Sequence, residues 1–436
     1  MTNTYKKTYF KENEMFIYLY IKNKTHKKMK NKKRPTYSTK NIIRKNSKYH
    51  KKNINRYKSH PMKKIDIFEI DPLDVTFEPL AGSTFTNLLK LLAQNHFHVE
   101  LLGMPRIVYS TFMSLLFSPL NVIEHIKYDK KTKKTTLNKP PIFIVGHWRT
   151  GSTFLHNTMA QDQQFGYPTT FQTVTPALML TFEKLIKPLV ESSLPETRPQ
   201  DNVKLGADLP QEEEYALGNI SPYSYYNGWI FPKNMEKYND YVDFQNVPKK
   251  EIQEFKEIFH YYLQKLTLHY KGKQLLLKNP SNTSRIKLLY EMYPDAKFIH
   301  IYRNPYHVYL SMKRNIEKEM TLYTLQKPPK WEIFEKSMVN MYNRMFQKYL
   351  KEIKLVPPEN TIEIQYEKYI KEPYPQLKHI YTELNIPGFE KNKEIFKNYL
   401  QSQKKIKTYS YNIEKELQQK IYHQLKEAID YWEYTI

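Results

Sequence analysis

PIFIVGHWRTGSTFLHNTMAQD, residues 141–162, is the stretch around which the rest of the chain is organised. Two prolines, Pro140 and Pro141, lead into an apolar run, Ile142–Val145. A tight loop follows, Gly146-His147-Trp148-Arg149-Thr150-Gly151-Ser152-Thr153. Phe154, Leu155, Thr158 and Met159 then recur at helical spacing. Strand, loop, helix is the layout of a phosphate cradle. The glycines let the backbone curl. The first N–H groups of the helix point into the curl, with the positive end of the helix dipole behind them. Such a place holds an anion.

The loop fits the pattern G-x-x-x-x-G-x-T and so resembles a Walker A loop. Its lysine position is occupied by Ser152, and the only cation in the loop is Arg149. The later strands end in Lys278 and Arg303 rather than in an acid that would hold Mg²⁺. A P-loop kinase is therefore the alternative enzyme class, and the missing Lys and Asp speak against it. The site reads as one that binds an anion with cations and N–H groups, without a metal.

The formal charge of +25 is unevenly spread. Residues 1–61 carry 19 of the 69 basic residues and only Glu12 and Glu14 of the 44 acidic ones. That segment reads as a disordered basic tail. Its alternatives are an arm for anionic lipid or RNA, or an upstream extension of a protein starting at Met62. The remaining chain is mildly basic, which suits a small anionic ligand better than a specific nucleic-acid partner. A non-enzymatic binder of anionic surfaces, acting through the tail, is the rival outside enzyme chemistry. The chain has no cysteine, so disulfides, thiolate metal sites and cysteine nucleophiles are excluded.

Strands are expected at Ile142–Val145, Leu275–Lys278, Lys297–Arg303 and Thr361–Tyr366. Helical patterns lie between them, at Phe182–Val190, Glu251–Tyr270, Ser284–Met292, Tyr306–Lys318 and Trp331–Leu355, with a last one at Glu414–Tyr434. Short apolar strands alternating with helices predict an α/β fold, a P-loop-like parallel sheet flanked by helices in three layers. The domains read as the tail, 1–61, a helical N-terminal extension, 62–139, and the catalytic domain, 140–436. Within the extension, Leu101–Ile123 is apolar but interrupted by Pro105, Arg106 and Pro119. It is expected to dock on the body. Contact with a membrane surface is the sharper reading and goes with a cytoplasmic, membrane-peripheral placement.

A second cluster is FIHIYRNPYHVYLSMKR, residues 298–314. Arg303 ends a strand, Asn304 can cap the next helix with Pro305 in its first turn, and Ser311 lies two turns in. Helical side chains lean toward the N-terminus, so Arg303 and Ser311 can hold one anion between them. The bland alternative is an ordinary strand–helix turn with a surface arginine.

The GxxRTGSTxL loop, the KNP after a middle strand and the RNPxxVxxS after a later one, taken in that order, resemble the sulfotransferase superfamily, and in particular its bacterial branch with Arg-Thr-Gly in the loop. The likeness runs over roughly Pro140–Gln376. It implies 3′-phosphoadenosine 5′-phosphosulfate (PAPS) as donor and no metal. Arg149, Thr150, Gly151, Ser152 and Thr153 would hold its 5′ phosphosulfate, and Arg303 with Ser311 its 3′-phosphate. The adenine-stacking residues cannot be placed.

Sulfuryl transfer is in-line, and positioning and charge stabilisation dominate it. Arg149 and Lys278 are the candidates to meet charge on the leaving phosphate; a surface lysine is the plain alternative for Lys278. The acceptor hydroxyl or amine needs a base, and Glu212-Glu213-Glu214 supplies carboxylates. On a helix starting near Leu209, Glu213 faces the apolar stripe, Glu212 sits at its edge and Glu214 points elsewhere. Desolvation would raise the pKa of Glu213 toward the range useful to a base. A solvated acidic first turn is the competing reading. His147, inside the loop, is a further candidate, and His156 reads as packed. The Tyr-rich Ser221–Phe231 and Phe171–Thr175 are candidate walls of a pocket for a small-molecule, glycan or lipid acceptor.

Overall fold

Five parallel strands form the sheet, in the order β2-β3-β1-β4-β5. They are β1 (Ile142–Val145), β2 (Phe165–Gly166), β3 (Gln274–Lys278), β4 (Lys297–Tyr302) and β5 (Thr361–Gln365). The structure, a computed structural model, describes residues 75, 78–198, 203–403 and 413–435. The basic tail and the reading of Met62 as a start lie outside the described residues.

β1 is the middle strand. Its register pairs Phe143 with Leu277 on one side and with Phe298 on the other. All four of its residues are fully buried, which is why they read as an unbroken apolar run. Alternate residues face opposite layers. Phe143, Val145, Leu277 and Phe298 join one core. Ile142, Ile144, Leu276 and Ile299 join the other. The chain runs from β1 out to the edge strand β2, returns to β3, and then crosses β1 to reach β4. The sheet order therefore reverses at β1, and the carboxyl ends of β3, β1 and β4 open onto one crevice. Ligands of open α/β sheets bind at such a place.

The sequence expectations for four strands hold to within a residue or two at each end. β2 is the addition, two residues within a segment that otherwise reads as loop. That segment also contains a short helix, Thr170–Val174, started by a capping box between Thr169 and Gln172. The apolar pattern from Phe85 divides into two helices, Phe85–Gln94 and Met104–Lys133. They are separated where His96 and Phe97 both adopt φ of 54°. The helix expected over Tyr306–Lys318 begins at Pro305, with Asn304 Oδ1 accepting from the Tyr306 N–H at 3.0 Å. It ends at Asn315 and widens into a π-turn over Ile316–Met320, burying both Ile316 and Met320.

The Met104–Lys133 helix docks on the body through buried ion pairs as well as through Ile107 and Phe117, which join the core. Arg106 is paired with Glu78 at 2.7 Å, and Glu124 with Lys265 at 2.7 Å; all four are buried.

Replacing Leu276, fully buried on β3, by Ala should lower unfolding stability by roughly 3 kcal/mol, read from the urea midpoint.

Candidate active site

The loop after β1 is held by contacts that its glycines permit. Gly146 has φ of 143°, and a Cβ there would lie 2.2 Å from the Ile301 carbonyl oxygen. Gly151 has φ of 92°, and its Cβ would lie 2.3 Å from the Tyr366 ring. The Gly146 N–H donates to Thr283 Oγ1 at 2.7 Å, and Thr150 Oγ1 donates to the His147 carbonyl at 2.8 Å. The helix Ser152–Met159 starts directly behind the curl.

Arg149 also has positive φ, 71°. Its Nε donates to Ser311 Oγ at 3.0 Å. Arg303 donates from Nη1 to the Arg149 carbonyl at 3.1 Å and lies 4.5 Å over the Tyr366 ring. The Arg303 Nε is buried without a partner. Arg149, Arg303 and Ser311 thus form one cationic corner where the loop after β1 meets the segment after β4. The sequence reading set Arg149 beside Lys278; the geometry sets it beside Ser311, because the left-handed turn at Arg149 aims it across the crevice.

Lys278, at the end of β3, is 2% exposed and is not a surface lysine. Its Nζ bonds to Glu212 Oε1 and lies 3.4 Å from Thr153 Oγ1. Glu212 Oε2 accepts from the Tyr226 hydroxyl, and that hydroxyl accepts from Trp148 Nε1 at 3.2 Å. Burial lowers the pKa of the lysine amine, and Glu212 pushes back. Burial first, and then Glu212, raises the Tyr226 pKa well above 10, so its hydroxyl stays a donor.

The helix carrying the glutamates starts later than its apolar pattern suggests. Its range is Glu213–Ile220, with Glu212 as N-cap. Pro210 forms a bridge with Thr169, and the Gln211 N–H donates to the Pro168 carbonyl at 2.8 Å. The chain before Glu212 is thereby committed to an extended path, and Leu209 lies outside the helix.

All three carboxylates are buried; none is the solvated first turn that acidic clusters at helix starts often form. Glu213 accepts from Asn282 Nδ2 at 2.7 Å, and its other oxygen has no partner. Burial pushes its pKa up to about 7, with Glu214 and Glu212 adding to the rise. Glu214 points away from Glu213's side, but into the core. It receives Asn279 Nδ2 at 2.7 Å and the Arg285 guanidinium at 2.8 and 3.2 Å.

His147 donates from Nδ1 to the Trp148 carbonyl at 3.0 Å, and its Nε2 is buried without a partner. Burial lowers its pKa to about 4, so it is neutral at pH 7. His156 is fully buried. Burial, with Lys278 nearby, lowers it to about 3. His147 forms part of the wall of an apolar cavity together with Trp148, Tyr225, Trp229, Met320 and Met338. Phe171 is fully buried within the core instead.

A profile described as the sulfotransferase family matches residues 140–391. The chain belongs to the sulfotransferase family. It is 32% identical over 353 residues to the omega-hydroxy-beta-dihydromenaquinone-9 sulfotransferases Stf3 of Mycobacterium bovis and Mycobacterium tuberculosis; the match covers 81% of this chain and 90% of each relative. Among solved structures, it is similar to sulfotransferase STF9 from Mycobacterium avium, with TM-score 0.58 at 16% identity over 78% of this chain and 89% of that one. It is likewise similar to STF1 from M. tuberculosis, with TM-score 0.54 at 14% identity over 79% and 92%. These structures share the fold. The chain is therefore an enzyme of sulfuryl transfer.

Sequence reasoning missed Tyr226, Asn279, Thr283 and Arg285. Asn279 is the middle residue of the KNP pattern, and Thr283 and Arg285 follow Pro280 by three and five residues, so the pattern marked their place without their roles. Tyr226 carried no signal beyond its aromatic neighbourhood.

Two outcomes follow from the buried glutamates. Glu214→Ala leaves Arg285 charged and unpaired in the core and should cost about 3–5 kcal/mol of stability, read by urea unfolding. Glu213 holds its proton more tightly folded, at about 7, than an ordinary glutamate near 4.5 does when unfolded. Its contribution therefore favours the fold at low pH and is lost as pH rises through 7. Glu213→Gln keeps an acceptor for Asn282, and should raise the thermal midpoint at pH 8 and flatten the dependence between pH 5 and 7.

Proposed function

We propose that the enzyme transfers the sulfuryl group of PAPS to the hydroxyl of a lipid-class acceptor, with Glu212 as general base. The observation that carries this reading is the Thr153–Lys278–Glu212–Tyr226 chain beside the loop. It brings an anion cradle, a buried ammonium and a carboxylate within contact of one another.

Two cationic places suit a donor with two separate anionic groups. The N–H groups of residues 151–153 and Lys278 would take the phosphosulfate end. Arg303 and Arg149 with Ser311 would take the 3′-phosphate; the buried, unpartnered Arg303 Nε is a donor in want of an acceptor. In the transfer, Glu212 accepts the proton of the acceptor hydroxyl while that oxygen bonds to sulfur. The bond from sulfur to the phosphate oxygen breaks, and its electron pair stays on that oxygen, where the Lys278 ammonium meets the new charge. In the absence of ligands, Lys278 and Glu212 hold each other. Turning Lys278 toward the donor frees a carboxylate oxygen for the acceptor. His147 is the weaker base, because its imidazolium is destabilised by burial; as a neutral acceptor at the cavity wall it suits holding the hydroxyl.

The acceptor class rests on the cavity beside His147. Trp, Tyr, Phe and Met side chains line it, with Asn239 and Ser337 as polar members. Such a wall fits an apolar chain better than a sugar. The related Stf3 proteins act, by their names, on a menaquinone derivative.

Calorimetric titration with adenosine 3′,5′-bisphosphate checks the donor reading. Wild type should bind, Arg303→Ala should bind about 10- to 100-fold more weakly, and Glu212→Gln should bind as wild type while kcat falls about 10²- to 10⁴-fold. No binding by wild type, or unchanged binding by Arg303→Ala, would remove the assignment.

A further inference from the structure

The Met104–Lys133 helix is turned inside out relative to an ordinary surface helix. Its buried face carries Arg106, Ser110, Ser114, Glu124 and Thr132, with only Ile107 and Phe117 as buried apolar members. Arg106 is bound to Glu78 and, at 3.2 Å, to the Thr324 carbonyl. Ser114 donates to the Ser83 carbonyl at 2.9 Å. Glu124 takes Lys265 and the N–H groups of Leu180 and Thr181. These polar contacts fix which side faces the body.

The opposite face is apolar and open. Met104, Val108, Phe112, Leu116, Val122 and Ile126 lie along it at helical spacing, with Val108 and Phe112 each 61% exposed and Ile126 77% exposed. At 1.5 Å per residue the stripe is about 33 Å long. Immediately after it come Lys127, Lys130, Lys131 and Lys134, all exposed; Lys133 is paired with Asp129. By length and composition the helix could cross a bilayer. Its buried ion pairs to the body instead place it along a surface, apolar side down.

We propose that this face docks on an anionic phospholipid bilayer, the stripe sinking into the boundary of the acyl chains and the lysines meeting lipid phosphates. The charge pattern selects this occupant, since a lysine cluster continuing an apolar stripe matches an anionic headgroup layer. The start of the helix also contacts the segment that follows two residues of the proposed acceptor cavity. The Glu100 N–H donates to the Leu325 carbonyl at 2.9 Å and Arg106 holds Thr324, in the segment directly after Ile316 and Met320, which line that cavity. The proposal stands without any particular acceptor, because its test needs no turnover.

The test is sedimentation of the full chain with vesicles of phosphatidylcholine alone and of a phosphatidylcholine–phosphatidylglycerol mixture. Wild type should partition onto the mixed vesicles. The Phe112→Gln/Leu116→Gln double variant should bind about tenfold more weakly or worse, with an unchanged thermal midpoint, since both positions are exposed. Should it not fold, Val108→Gln/Ile126→Gln takes its place with the same expectation. Lys130→Glu/Lys131→Glu should weaken binding to the mixed vesicles. The basic tail is present in every variant, so the differences report the stripe. Equal binding by the stripe variant would overturn the proposal in favour of another surface. So would failure of wild type to bind, or a lipid-free wild-type dimer that the stripe variant dissolves, which would make a second copy the occupant.

Discussion

Three adjacent carboxylates buried at one helix start are the constraint around which this site is built. No sequence places Glu212, Glu213 and Glu214 in an interior without partners, because each ionised carboxylate loses its water there. Beside the Tyr226 hydroxyl on Glu212 and the Tyr225 N–H on Glu214, the cationic and amide partners come from one segment, the end of β3 and the turn after it. Lys278 meets Glu212, Asn282 meets Glu213, and Asn279 with Arg285 meets Glu214. The glutamate helix is thereby locked to the sheet at the end of β3, beside the loop after β1. The two strongest pairs serve different ends. Arg285 and Glu214 are wholly buried and position the helix. Lys278 and Glu212 lie against Thr153 and Tyr226, beside the loop, and are the pair that the proposed reaction would separate.

The loop after β1 solves a second problem, that of bringing the ends of two strands to one ligand. Positive φ at Gly146, Arg149 and Gly151 turns the chain sharply enough for the Arg149 backbone carbonyl to hold Arg303 while its side chain reaches Ser311. One residue thus ties β1's loop to the segment after β4. Thr283, by accepting from the Gly146 N–H, ties it to the segment after β3. The cradle is fixed by its neighbours on both sides before any ligand arrives, so little ordering remains for binding to supply.

The fold was legible where physics acts over a few residues. β1, β3, β4 and β5 are short apolar runs because both faces of a parallel sheet are covered, and that alone separates them from the amphipathic helices. β2 was not legible, since two residues carry no period. The site was legible by residue type and only partly by geometry. That Lys278, the loop and the glutamates belong together follows from the order of strand ends. Which glutamate meets Lys278 does not, because it depends on Pro210 pairing with Thr169, a contact between segments distant in sequence. The reach of Arg149 likewise depends on a backbone angle that no spacing rule gives. The long N-terminal helix shows a different limit. Its apolar content suggested burial, but Arg106, Ser110, Ser114 and Glu124 also recur at helical spacing. The polar stripe, with Ile107 and Phe117 beside it, marks the side facing the protein, while the longer apolar stripe lies open.

The placement of the apolar cavity bears on selectivity against water. A transfer driven by a reactive anhydride has solvent as its competing acceptor, and the barrier to that side reaction is access rather than chemistry. The proposed base side is polar and partnered, through Glu212, Lys278 and Tyr226. The proposed acceptor side begins at His147 and Trp148 and continues into aromatic and methionine side chains. His147 has its Nδ1 engaged by the Trp148 carbonyl, which leaves Nε2 as the single acceptor at that junction. In the proposed reaction, an apolar alcohol admitted between these side chains would exclude water from Nε2 and bring its hydroxyl toward the carboxylate. Water alone fills none of the apolar wall and gains no binding energy there. In the proposed reaction the same side chains would admit the acceptor and shield the donor, and the dry wall and the charged wall meet at one loop.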